Sequence, residues 1–177
     1  ISLDPNNAEA WLIRGSLLYS QGNYGDAIEA SDKAIEVDPN NSRAWMLKGN
    51  ALLNLGKLNE SIDTYDKAIE LNPNNSELWC LKSVAIVFQG KNEEAIKAAD
   101  ESIRLNPNDA KPWVIKGTAL YVLGEYDEAV QALSRALELD PKDANAWNFK
   151  SEALKKLGRT TEADAAFAKA NELGYED

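Results

Sequence analysis

Residues 42–75 read SRAWMLKGNALLNLGKLNESIDTYDKAIELNPNN, and this stretch decides the fold. Ala44 to Leu55 is dominated by helix formers, with apolar residues at three- and four-residue steps, which predicts a helix. Gly56 stops it, because a glycine just past a helix enters the left-handed region without a Cβ penalty. A second helix is predicted from about Leu58 to Leu71. Pro73 cannot extend that helix, and it biases the residue before it out of the helical region. Asn74 and Asn75 then offer side-chain oxygens to the free N–H groups of the next helix. The stretch is a helix–turn–helix hairpin. Its helices are too short to be more than marginal alone, and they fold only by burying apolar faces on each other and on neighbours.

The same pattern recurs along the whole chain. Trp11, Trp45, Trp79, Trp113 and Trp147 recur at one constant step, and Gly22, Gly56, Gly90, Gly124 and Gly158 follow them in the same register. Pro5, Pro39, Pro73, Pro107 and Pro141 keep that step too. A fixed period of this length is the signature of a solenoid, in which each repeat contacts only its neighbours. Counting Ser42 as place 1, and so each Trp as place 4, the repeats run 8–41, 42–75, 76–109, 110–143 and 144–177. The expected domain is one array over 1–177, with 1–7 the remnant of a preceding repeat. Ile1 to Asn7 match Ile69 to Asn75 in register, so a hairpin is expected upstream.

Small residues mark close backbone approach. Place 8 holds Gly15, Gly49, Ser83, Gly117 and Ser151. Place 20 holds Ala27, Ser61, Ala95, Ala129 and Ala163, and place 27 holds Ala34, Ala68, Ser102, Ala136 and Ala170. A mid-helix glycine costs about 1 kcal/mol against alanine, so three of them in register argue for tight helix packing. The large partners are the Trp column and place 24, which runs Ser31, Tyr65, Ala99, Leu133 and Phe167.

These residues resemble the tetratricopeptide repeat family: Trp11, Gly15, Gly22, Tyr24, Ala27, Ala34 and Pro39 in the first repeat, and Trp113, Gly117, Gly124, Tyr126, Ala129, Ala136 and Pro141 in the fourth. Asn92 and Thr160 depart from the turn aromatic, and Ser31 and Ala99 from the large residue at place 24, where looser packing is expected. The resemblance implies an all-α fold, a right-handed αα-superhelix of five hairpins, with first helices lining the concave face. It also implies recruitment of proteins rather than catalysis.

Composition narrows the chemistry. The net charge of −10 is spread so that no repeat is basic, which argues against nucleic-acid binding through phosphates. With no histidine and one cysteine, zinc sites built on His or Cys and His-based catalysis have no ligands or base. No cofactor or metal is expected. Cys80 lies among apolar residues and reads as a small hydrophobe. No apolar run is long enough to span a bilayer, so no membrane insertion is expected. No signal peptide opens the sequence, and a cytoplasmic location is the expectation.

By the resemblance, places 2, 5, 9, 12 and 13 point into the concave groove. The partner-binding residues there are Leu12, Tyr19, Met46, Asn50, Leu53, Cys80, Val84, Val87, Phe88, Val114, Thr118, Tyr121 and Val122. The middle is apolar, which suits a protein or peptide with an apolar segment. The carboxylate clamp of chaperone-tail binders is absent, since only Asn50 and Lys111 match it singly, and so is the Asn ladder of sugar-transferase arrays. Place 7 is basic throughout, at Arg14, Lys48, Lys82, Lys116 and Lys150. This ladder reads as aliphatic stems packed on neighbours with the charge reaching solvent or acids on second helices; a binding ladder for phosphate or acid is the alternative.

At the last repeat, places 21 and 28 turn from aliphatic to Asp164 and Asn171, so both are expected to be exposed and to close the array. Two further functions stay open. One is self-assembly through the truncated N-terminal end. The other is a targeting arm for an enzyme, such as a glycosyltransferase, whose catalytic domain lies outside the chain.

Overall fold

The computed structural model describes residues 6–175. Ten α-helices and no strands occur among them. They are α1 (Ala8–Ser20), α2 (Tyr24–Val37), α3 (Ser42–Asn54), α4 (Leu58–Leu71), α5 (Ser76–Phe88), α6 (Asn92–Leu105), α7 (Ala110–Leu123), α8 (Tyr126–Leu139), α9 (Ala144–Lys156) and α10 (Thr160–Glu172). The expected remnant 1–7 falls outside the described residues except for Asn6 and Asn7.

The hairpins start and stop for the expected reasons. Gly22, Gly56, Gly90, Gly124 and Gly158 all have left-handed backbones, with φ between 72° and 85°. First helices are capped by side chains: the Oδ1 atoms of Asn7, Asn41, Asn75, Asp109 and Asp143 accept from N–H groups in the opening turns of α1, α3, α5, α7 and α9. Second helices have no such side-chain bond. Each carries instead an acidic residue in its first turn, such as Asp26, Glu60 or Glu162, which favours the positive end of the helix.

The chain divides into two compact units, Ile1–Gln89 and Gly90–Asp177. In the first, α1 pairs with α2 and α3 with α4, while α2 packs on α3 and α4 on α5. In the second, α6 packs on α7, α7 pairs with α8, α8 packs on α9, and α9 pairs with α10. Each first helix also touches the next one within its unit, α1 with α3, α3 with α5 and α7 with α9.

The small-residue columns sit at the helix contacts. Ala27, Ser61, Ala95, Ala129 and Ala163 are fully buried, as are Ala34, Ala68, Ser102 and Ala170. A Cβ on Gly49 would lie 2.6 Å from the Tyr65 ring, and one on Gly117 would lie 2.6 Å from Leu133 Cγ. Glycine at place 8 therefore makes room for a large place 24 in the same hairpin. Where place 24 is Ser31, the gap is filled from outside, since a Cβ on Gly15 would meet Leu47 Cδ2 at 2.9 Å.

The tryptophans pack against the core clusters, as partly buried side chains. None is fully buried. Each packs one face on a core cluster, and the indole N–H of Trp45, Trp79, Trp113 and Trp147 donates to the carbonyl of Pro39, Pro73, Pro107 or Pro141 at 2.9–3.4 Å. The column clips each linker to the helix that follows it, and this keeps the ring at the edge of the core. Asp164 and Asn171 are exposed.

Candidate functional site

Within the first unit the expected groove residues fall into three groups. Leu12 and Cys80 are buried and present no surface to a partner. Leu12 packs with Ala34, Ala44 and Leu47, because α1 touches α3 and place 5 is consumed in that contact. Tyr19, Met46, Asn50, Leu53, Val84 and Val87 are half-buried. Tyr19 stands edge-on to Tyr24 at 5.4 Å, and its hydroxyl accepts from Asn54 Nδ2 at 2.9 Å. Asn50 Oδ1 accepts from the Tyr65 hydroxyl at 2.7 Å, which satisfies a fully buried phenol whose pKa is raised by burial. Met46 and Leu53 rest on the Tyr65 cluster. Phe88 alone is wide open, 67% exposed at the C-terminal end of α5.

Within the second unit, Val114 packs against the Leu133, Leu137 and Ala146 cluster. The Thr118 hydroxyl is turned back onto the Val114 carbonyl at 2.8 Å. Tyr121 is half-buried, its ring 5.8 Å from Tyr126 and 6.1 Å from Phe149, and it belongs to the core of that unit. Removing it would disturb packing as well as any surface. Val122, 61% exposed, is the open residue of this unit.

Two exposed residues escaped the sequence reading. Ile13 and Leu17 on α1 are 62% and 58% exposed. Their counterparts in α3, Leu47 and Ala51, are both buried. The signal was present, because Leu17 breaks a column that is otherwise Ala51, Ala85, Ala119 and Ala153.

The place-7 ladder is largely used inside the fold. Every one of its cations lies over the Trp three residues earlier, at 5.3–6.0 Å from the ring centre. Lys48, Lys82 and Lys116 also pair with Asp32, Asp66 and Asp100 on the preceding second helices, at 2.5–2.7 Å. Among the described residues no group of three or more His, Cys, Asp or Glu side chains is placed to hold a metal ion. No helix there is long and apolar enough to cross a membrane.

The chain is similar to several solved structures. MamA matches at 25% identity over 94% of this chain and 91% of that one, with a TM-score of 0.83. MamA from Desulfovibrio magneticus RS-1, from residue 41 to its end, matches at 19% identity over 98% and 97%, with a TM-score of 0.86. YrrB, described as a TPR protein with an unusual peptide-binding site, matches at 23% identity over 97% and 88%, with a TM-score of 0.78. The last two likenesses, lower in identity than the first, concern the fold alone. No curated protein matches the chain. The tetratricopeptide repeat model matches residues 1–36, 14–76, 85–144 and 116–174, and a second model of the same repeat matches 64–97. Ten helices in the order the repeat demands, small residues at its contacts and these matches together place the chain in the tetratricopeptide repeat family.

Proposed function

We propose that this chain is a non-catalytic docking module whose first-helix face takes an apolar segment of a partner protein, in an extended or helical form. The family mediates protein and peptide interactions, and the finer assignment rests on α5. That helix buries Leu78, Ser83, Ala85 and Ile86 in the fold, yet it also carries Val84, Val87 and Phe88 on its remaining surface. The observation that carries the reading is Phe88, a large aromatic left open at the C-terminal end of α5. Exposed aromatics beside smaller apolar residues suit interface hot spots.

Panning displayed peptides against the intact chain tests this. Selected peptides should share apolar anchors at helical or alternating spacing, and calorimetry should show binding weakened about thirtyfold by Phe88→Asp. Because the contact is apolar, affinity should change less than about threefold between low and high salt. Peptides that bind Phe88→Asp as well as the parent chain would sink the assignment.

A second reading, self-association through α1, has the exposed Ile13 and Leu17 in its favour. Sedimentation over a concentration range separates the two. A dimer that Leu17→Glu abolishes supports self-association, and a monomer at every concentration removes it.

A further inference from the structure

The lysines at place 7 form a series of equivalent sites, and one member lacks a part that the others have. In the paired sites a half-buried ammonium lies over a Trp ring and meets an Asp from the preceding second helix: Asp32 for Lys48, Asp66 for Lys82 and Asp100 for Lys116. At Lys150 the ring is present, with Trp147 at 5.3 Å, and α8 packs on α9 as usual. The residue at the Asp place, however, is Ser134. Its hydroxyl is turned away, donating to the Val130 carbonyl of its own helix at 2.6 Å.

No carboxylate among the described residues pairs with Lys150. The acid sharing its surroundings, Glu162, is held by Arg159 through two bonds of 2.8 and 2.7 Å. The neighbouring Lys169 is paired outward with Glu172 at 2.8 Å. What remains is a cleft of about 430 Å3, lined by Trp147, Lys150, Leu154, Glu162, Ala165 and Ala166 among others. The lining mixes apolar side chains with the charged Lys150, Glu162 and Lys169, and Lys150 lacks the carboxylate partner of its counterparts. Burial lowers the Lys150 pKa; the charge of Glu162, and less so that of Glu138, opposes this, and Arg159 adds to it, so the nearby acids do not offset the lost water.

We propose that the Trp147–Lys150 cleft, lined by α9 and α10, is a docking site for an aspartate or glutamate side chain of a partner protein, which gives Lys150 the carboxylate that Asp32, Asp66 and Asp100 give the equivalent lysines. The lining shares no residue with the apolar groove, so this is a second contact rather than a restatement of the first. A single charge-assisted contact at a partly exposed site is modest in strength. Its contribution is to fix the register and orientation of a partner more than to hold it.

The test is a heteronuclear NMR titration of the intact chain with a helical peptide, acetylated and amidated at its ends, carrying one Asp and no other charge. The indole N–H of Trp147 and the Lys150 side chain should shift together. The Asn version of the peptide should bind about tenfold more weakly or worse. Ser134→Asp installs the missing carboxylate in the chain itself and should weaken the Asp peptide to the same degree, while Ser134→Asn leaves binding intact. Lys150→Met, which keeps the aliphatic stem over Trp147, should also lose the preference for Asp over Asn. Equal binding of the two peptides, undiminished binding to Ser134→Asp, or no response at Trp147 would overturn the proposal. A response to a free peptide C-terminus in place of the side chain would overturn the assignment to Asp or Glu.

Discussion

Helices α5 and α9 occupy the same address in their repeats and differ in what they show. Their buried frames agree: Leu78, Ser83, Ala85 and Ile86 in one, Ala146, Ser151, Ala153 and Leu154 in the other, all essentially without exposure. Their outer positions are opposite. Val84, Val87 and Phe88 in α5 become Glu152, Lys155 and Lys156 in α9. There Lys155 pairs with Glu152 at 2.8 Å and lies 4.9 Å from the centre of the Phe167 ring. In these two helices the buried places hold nearly the same residues, while the outer places differ in chemistry without a change of frame.

That division is broken most severely if frame and face turn out not to be separable. Tyr65→Ala removes a fully buried ring and its bond to Asn50, and should cost about 4 kcal/mol in denaturant unfolding. Phe88→Ala should cost less than about 0.5 kcal/mol in the same assay. Similar losses for both would mean that Phe88 belongs to the frame. Trp113→Ala falls between them. The ring is half-buried and its N–H bond to Pro107 is long at 3.4 Å, so a loss of about 3 kcal/mol is expected, at the low end for a large aromatic. A change under about 1 kcal/mol would show that linker and helix are held by something else.

The smallest effect on stability should come from exchanging the faces. Glu152→Val, Lys155→Val and Lys156→Phe together give α9 the surface of α5. Unfolding free energy should move by less than about 1 kcal/mol, since an ion pair and a ring contact near the surface are exchanged for apolar side chains. Light scattering should report a rise in self-association, because a new apolar patch has been made. A chain that unfolds on this exchange would tie the outer places to the fold.

The frame was legible in the sequence because each of its demands repeats. A glycine in the left-handed region, a capping Asn or Asp and a small residue at a helix contact recur in every repeat, and five copies in register leave little else to infer. The face was less legible, because exposure depends on which neighbour covers a position. Leu12 and Cys80 read as groove residues but are buried, Leu12 against the following repeat. Tyr121 read as an open ring but is braced by Tyr126 and Phe149. Ile13 and Leu17 drew no expectation from the sequence and are exposed on α1. The lysine ladder was legible as stems on neighbours with acids nearby, while its Trp stacking and its particular Asp partners needed coordinates.

The separation of frame from face is tested most directly by comparing what the intact chain retains from an extract of its own cells with what two single variants retain. Phe88→Asp and Lys156→Glu change the same place in α5 and α9, and both should unfold with the parent's midpoint. Quantitative mass spectrometry should find proteins held equally by the parent and Lys156→Glu and reduced about tenfold or more by Phe88→Asp. A retained set indifferent to Phe88→Asp, or lost with Lys156→Glu instead, would contradict the account.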